Sequence, residues 1–254
     1  VIELSFPLAV VFLTGLCIGS FLNVVIYRLP RRESFITGRS RCPLCGHTLA
    51  WYDLLPLLSF LFLLGRCRYC RAVISPRYPL IELLTGALFA LLYLSFGLTA
   101  AFVKYAFFAA FLIIVSMIDL EHYIVPDRLV TAGLAGGILL GVFSKDRGLF
   151  SVLLGAGVAA GFLLLVALLS KGGMGGGDIK LAFVTGLFLG WPLGPLGIFL
   201  GSCLAGITGV FLLALRLKGR KDPIPFGPFI ALGSLLSLLR GNELLAWYFR
   251  HLNW

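Results

Sequence analysis

The run Phe6-Pro7-Leu8-Ala9-Val10-Val11-Phe12-Leu13-Thr14-Gly15-Leu16-Cys17-Ile18-Gly19-Ser20-Phe21-Leu22-Asn23-Val24-Val25-Ile26-Tyr27 has no charged residue in 22 positions. That length crosses a bilayer as a helix. It is long for a signal-peptide core and lacks a basic start and a small-residue cleavage pattern, so it reads as a retained membrane helix. The chain begins at Val1, which reads as the loss of an initiator Met or a tag.

Similar apolar stretches follow. With the first, they cover roughly 6–27, 78–97, 99–118, 124–143, 149–169, 179–192, 194–215 and 226–249. The sixth is short for a span. Of the 254 residues, 59% are hydrophobic and 13% charged, with a mean hydropathy of +1.02. A soluble domain cannot hide that much apolar surface. The expected fold is an all-α polytopic membrane protein of about eight transmembrane helices with a small zinc-knuckle cytoplasmic loop. Its parts are a first transmembrane helix (1–27), a tetracysteine loop (28–77) and a seven-helix membrane domain (78–254). No internal repeat is evident.

In a soluble protein the net charge of +10 would suggest nucleic acid. Here it reads as basic loops that set topology, with membrane lipid and not nucleic acid as the partner. The loop after the first helix carries nine arginines, from Arg28 to Arg77. Placing it in the cytoplasm puts the N-terminus outside. Arg128, Lys171, Lys180, Arg216, Lys218, Arg220 and Lys221 then fall inside, and only Lys104, Lys145, Arg147 and Arg250 fall in outside connections. The same parity sets Asp119, Asp127 and Asp178 at the cytoplasmic face.

Within the 28–77 loop, Cys42-Pro43-Leu44-Cys45 and Cys67-Arg68-Tyr69-Cys70 form two C-x2-C pairs with 21 residues between them. Four thiolates so paired suit a structural Zn2+, and they leave no open position for a catalytic one. The reducing cytoplasm disfavours disulfides. A redox or empty thiol site is the other reading. Between the pairs, Leu54 to Leu64 is apolar, too short to span and interrupted by Pro56, as in a hairpin arm lying on the bilayer. Cys17 and Cys203 stand singly in apolar segments and read as buried small side chains.

Most acids have plain explanations. Glu3, Glu33, Asp53, Asp146, Asp222 and Glu243 read as solvated charges near interfaces. Asp127 follows Pro126 at a helix start, where it can cap free N–H groups. Glu121 is a solvated charge or a group tuning Asp119. Glu82, early in the second span, needs a partner and is either a structural hydrogen-bonding group or a binding group. Asp119 ends the third span. Asp178 follows Gly172-Gly173-Met174-Gly175-Gly176-Gly177 at the start of the sixth. Two carboxylates at one membrane depth suit acid–base hydrolysis of a peptide bond, one ionised to activate water and one protonated to donate. Glycines beside Asp178, Gly175 and Gly177 among them, would let a substrate strand lie close to the backbone. Spacing alone equally allows a glycine hinge beside an ordinary helix-start aspartate. Lys180 is placed at the lipid interface.

In order, Gly19-Ser20-Phe21-Leu22-Asn23, the tetracysteine loop, Arg77-Tyr78-Pro79-Leu80-Ile81-Glu82, Ile118-Asp119-Leu120-Glu121, Ile124-Val125-Pro126-Asp127, Gly175-Gly176-Gly177-Asp178-Ile179-Lys180 and Ile224-Pro225-Phe226-Gly227-Pro228-Phe229 resemble the bacterial type IV prepilin peptidases, membrane aspartyl proteases with a G-x-G-D signature. The resemblance covers nearly the whole chain. It implies Asp119 and Asp178 as the catalytic pair and a prepilin or pseudopilin with a short basic leader as substrate. It further implies cleavage after a glycine at the cytoplasmic face of the inner membrane. N-methylation of the new N-terminus with S-adenosylmethionine is expected by resemblance only. Glu82, Glu121, Asp127, Gly175 and Gly177 are candidate substrate or cofactor contacts. The rival readings are a membrane transporter, which would suit intramembrane acids, a zinc-dependent membrane enzyme, and a methyltransferase alone.

Overall fold

A computed structural model describes residues 2–170, 174–219 and 222–252, with side chains described between 6 and 251. Gly172 and Gly173 of the glycine run, Lys171, Arg220 and Lys221 of the charge count, and the side chain of Glu3 lie outside the described residues. Among the described residues every regular element is helical, and seven helices are long and apolar enough to cross a membrane. Internal contacts divide the chain into Val1–Leu98 and Thr99–Trp254, so the second long helix of the membrane part groups with the first.

The first unit holds α1 (Ile2–Arg28), α2 (Leu58–Phe62) and α3 (Arg77–Phe96). Lipid tails are as apolar as leucine, so membrane helices associate through close backbone packing at small residues. A Cβ at Gly15 would lie 2.7 Å from Gly86 Cα, and one at Gly19 2.7 Å from Glu82 Cα. One turn further, Asn23 Nδ2 donates to the Tyr78 carbonyl at 3.1 Å. These contacts pair α1 and α3 antiparallel. Buried Glu82 accepts the Leu57 N–H at 2.9 Å and is also bonded by Ser20. It ties the arm between the cysteine pairs to the helices. That arm is a 3-10 turn over Trp51–Leu54 followed by α2, which exposes Leu58, Leu61 and Phe62.

Around the cysteines the structure shows a repeat that the sequence reading missed. Cys42 N–H bonds the His47 carbonyl and Gly46 N–H returns to Cys42. Cys67 N–H bonds the Ala72 carbonyl and Arg71 N–H returns to Cys67. Isolated antiparallel bridges Arg41–Thr48 and Arg66–Val73 flank the two turns. The two hairpins repeat the same backbone bonds position for position, although apart from the cysteines and the arginines before them their side chains differ. Gly46 and Arg71 take the matching left-handed turn position, with φ of 69° and 60°. Glycine does so freely and arginine at a cost.

The second unit comprises α4 (Ala100–His122), α5 (Asp127–Ser144), α6 (Leu149–Leu169), α7 (Gly176–Leu189), α8 (Leu193–Ala214) and α9 (Gly227–Leu252). Glycines again set the packing. A Cβ at Gly133 of α5 would lie 2.7 Å from Phe111 of α4 and 3.0 Å from Val184 of α7. One at Gly186 of α7 would lie 2.4 Å from the Gly155 carbonyl of α6, and one at Gly233 of α9 2.3 Å from the Gly197 carbonyl of α8.

Four sequence expectations change. The sixth expected span is α7, whose 14 residues rise only about 21 Å against a hydrocarbon core of about 30 Å. The eight spans thus become seven and one short helix. Cys17 and Cys203 are exposed on the helix surface, not buried, because a lipid-facing position is as apolar as a core one. Lys104 is buried within α4, not in a connection. Asp146 and Asp53 are not solvated charges. Asp146 accepts from Lys104 Nζ at 2.7 and 2.9 Å and from the hydroxyls of Tyr105 and Ser144. Asp53 is bonded by Arg68, Tyr69 and the Ala50 N–H. Burial pushes the Asp53 carboxyl up, but these donors outweigh it and hold it below the usual carboxylate range.

Candidate active site

Two helices of opposite direction bring the aspartates to one depth. Phe108 of α4 stacks on Phe188 of α7 with ring centroids 4.6 Å apart. From Phe108 to Asp119 is 11 residues, and from Phe188 back to Asp178 is 10. At 1.5 Å per residue both aspartates lie about 15–17 Å along the helix axes from the stacked rings, towards the same end of the bundle. Asp178 accordingly lies close enough to Asp119 to feel its charge.

Asp119 does not end its helix, as the sequence suggested. α4 continues one turn to His122 and stops at Tyr123, in the left-handed conformation with φ 56° and its N–H on the Asp119 carbonyl. Asp119 is buried, 4% exposed, with the start of α9 against it. Its Oδ2 accepts the N–H of Gly227 at 2.7 Å, at the first turn of α9. A free helix-start N–H favours an anionic oxygen. Because Oδ2 is an acceptor there, a proton held by Asp119 belongs on Oδ1. A Cβ at Gly227 would lie 2.9 Å from Oδ2 and 3.2 Å from Asp119 Cβ, so a side chain there would displace the carboxyl. Gly227 is the site residue that sequence reasoning quoted without a role. Its only signal was a glycine between Phe226 and Pro228 at a helix start.

Asp178 is half-buried in the first turn of α7. Among the described residues no cation pairs with it or with Asp119. The neighbouring glycines divide their work. A Cβ at Gly175 would stand 3.6 Å from Asp178 Oδ2, an ordinary contact, and one at Gly176 would meet nothing. A Cβ at Gly177 would stand 3.0 Å from Val125 Cβ, so that glycine seats the connection between α4 and α5. Asp127 makes no cap bond. It pairs with Lys180 across α5 and α7, with side chains 78% and 52% exposed. That exposure makes the pair weak. Lys180 therefore has a protein partner beyond the lipid interface assigned to it. Glu121 is exposed two residues beyond Asp119. Glu82 belongs to the first unit, where it holds Leu57.

The second cluster is the tetracysteine site. The Sγ atoms of Cys42, Cys45, Cys67 and Cys70 all lie within 4.8 Å of one another, and Cys42 and Cys70 are 3.9 Å apart. A tetrahedron with metal–sulfur arms of about 2.3 Å has edges of about 3.8 Å, so the set can hold a metal. Burial opposes the thiolate at Cys42, yet the N–H groups of Cys45 and Leu44 bring it down to about 7. At Cys70 the Ala72 N–H favours the thiolate, but burial and the neighbouring sulfurs push it up to about 11. A bound cation resolves that conflict by holding all four as thiolates. Asp53 braces the site by gripping Arg68 and Tyr69 between Cys67 and Cys70, and Tyr69 stacks on His47 of the first hairpin.

Comparison with known proteins follows the same two-part division. The Bacterial Peptidase A24 N-terminal domain matches residues 13–96, and the Type IV leader peptidase family matches residues 106–210. A prepilin leader peptidase/N-methyltransferase of Aeromonas salmonicida (strain A449) is 36% identical, over 94% of this chain and 93% of its own. The protein of that name from Bacillus subtilis (strain 168) is 35% identical, over 96% and 98%. The one from Myxococcus xanthus (strain DK1622) is 42% identical, over 85% of this chain and 66% of its own. No solved structure matches.

Proposed function

The chain belongs to the type IV leader peptidase family, and from that premise we propose that Asp119 and Asp178 cut the leader from prepilins or pseudopilins in the inner membrane. The observation that carries the assignment is their common depth on α4 and α7, without a neutralising cation among the described residues. Two such carboxyls in a partly dry site share one proton and titrate as a pair. The ionised one takes a proton from water, whose oxygen attacks the scissile carbonyl carbon. The protonated one donates to the carbonyl oxygen. Collapse of the tetrahedral diol returns that proton through the pair to the departing amine nitrogen, and the C–N bond breaks. The Gly227 N–H fixes Asp119 Oδ2 as an acceptor throughout. The excess of Lys and Arg in the loops on the Asp119 and Asp178 side of the spans supports cleavage at the cytoplasmic face.

The same reading gives the tetracysteine lobe a structural Zn2+, held by Cys42, Cys45, Cys67 and Cys70. It supplies folding free energy to a loop with little apolar core. The family reading also carries N-methylation of the new N-terminus, with S-adenosylmethionine as methyl donor. The described residues form no strand–glycine loop–helix cradle for its nucleoside, so no step is assigned to it.

Asp119→Asn and Asp178→Asn, assayed on a prepilin in detergent, each lower leader removal by more than about a thousandfold. Near wild-type cleavage by either variant removes that residue from the pair. Elemental analysis of reduced protein finds about one zinc per chain, as a tetracysteine site requires. Its absence overturns the structural-zinc assignment.

A further inference from the structure

One carboxylate inside a membrane helix serves the backbone of a loop. Glu82 of α3 accepts the Leu57 N–H at 2.9 Å, and Ser20 of α1 bonds the same carboxyl. Two helices fix its depth. α3 has 20 residues and rises about 30 Å, the thickness of a hydrocarbon core. Glu82 lies five residues past Arg77, about 7.5 Å inside the start of that helix. On α1, Ser20 comes eight residues, about 12 Å, before Arg28, the first charge on that side. Even with its side chain leaning back about one turn toward Arg77, the carboxyl stays on the hydrocarbon side of both arginines. At the same level α3 exposes Leu80, Leu83 and Leu84. The tip of the arm is therefore held deeper than the bilayer surface on which its sequence placed it.

The tip is also built to do without water. Inside a bilayer every backbone polar group must find its partner within the protein. The N–H groups of Leu58, Ser59, Leu61, Leu63, Leu64 and Gly65 all bond carbonyls between Leu55 and Leu61, and the Ser59 hydroxyl bonds the Leu55 carbonyl. Leu57 N–H precedes these bonds, and Glu82 takes it. Leu57 and Leu64, both left-handed with φ of 59° and 51°, turn the chain into and out of α2. Outward the tip presents Leu58, Leu61, Phe62 and Leu64, the last two 83% and 85% exposed. No charge falls between Asp53 and Arg66.

We propose that residues 55–64 insert as a re-entrant wedge into the leaflet on the Arg77 side, with lipid acyl chains against Leu58, Leu61, Phe62 and Leu64. Glu82 is the tether that holds the wedge at that depth. Hydrocarbon fits this face because water would gain nothing from a backbone already paired and would meet only apolar side chains. Cys45 and Cys67 flank the wedge in the chain, so insertion seats the tetracysteine lobe at the headgroups. The insertion does not depend on the chemistry at Asp119 and Asp178.

The test uses the full chain in vesicles of lipid with deuterated acyl chains. A photoreactive phenylalanine in place of Phe62 forms adducts with those chains, located by mass spectrometry. The same group in place of Leu44, exposed on the first cysteine hairpin, does not. Adducts at position 62 with headgroups alone put the arm on the surface, and adducts with protein alone give the face another occupant. Either result overturns the proposal, as does equal acyl-chain labelling from the two positions. Glu82→Gln keeps an acceptor oxygen and retains the labelling at position 62, whereas Glu82→Leu lowers it roughly fivefold. Unchanged labelling in Glu82→Leu removes the tether. Labelling at position 62 is read with Glu82 intact, so it decides the insertion even where Glu82→Leu fails to fold.

Discussion

The two ends of α4 carry opposite solutions to a carboxylate near a membrane. At the start, Lys104 and Tyr105 reach Asp146, which Ser144 also bonds. At the far end Asp119 has backbone N–H donors and a second aspartate nearby, but no cation among the described residues. The first site is saturated, so its charge is locked and its value is to hold α4 to the α5–α6 connection. The second leaves protonation free to change, which acid–base chemistry needs. A charge count does not tell them apart; the partners do.

The largest effect separates the ends by function. Asp119→Asn removes leader cleavage while thermal unfolding in detergent stays close to wild type, because its partners at the start of α9 are backbone N–H groups that an amide oxygen also accepts. A large fall in unfolding temperature would make Asp119 structural, like Asp146. Next, Lys104→Met leaves Asp146 without its cation and destabilises the second unit by about 3 kcal/mol. The double variant Lys104→Met with Asp146→Asn recovers much of that loss in the same unfolding assay. No recovery would mean that Lys104 acts by packing and not by charge. Smaller again, Gly227→Ala sets a methyl against Asp119 and slows cleavage by roughly ten- to a hundredfold, with folding retained. Wild-type kinetics there would show that the α9 start is not part of the site. Smallest is Asp53→Asn, which weakens the grip on Arg68 and speeds chelator removal of the zinc proposed for the tetracysteine site a few-fold. Unaltered zinc release would limit Asp53 to the surface of the lobe.

The legible parts of the molecule were those written in local pattern. Uninterrupted apolar runs marked the spans, paired cysteines marked the lobe, and a glycine run marked Asp178. The rest depends on partners far along the chain. Asp146 looked like a loop charge because Lys104 lies 42 residues upstream. Gly227 had no visible role because the carboxyl it serves is 108 residues away. The repeated hairpin escaped notice because backbone bonds repeat where side chains do not: Gly46 and Arg71 share a conformation that only one of them takes easily. Gly177 was singled out as room for a substrate strand, and packing gives it a nearer neighbour in Val125.

The brevity of α7 has a consequence for supply of the second reactant. The end of α7 away from Asp178 is held flush with the first turn of α6, where Trp191 N–H bonds the Ser151 carbonyl at 2.8 Å. The missing length, about 9 Å of the hydrocarbon thickness, therefore falls at the Asp178 end. From Leu181 to Leu189 every residue of α7 but Phe183 is buried, so longer helices and not lipid border the gap. A short helix among longer ones leaves a recess at that end of the bundle, and the two carboxyls stand at its floor, where water reaches them without crossing hydrocarbon.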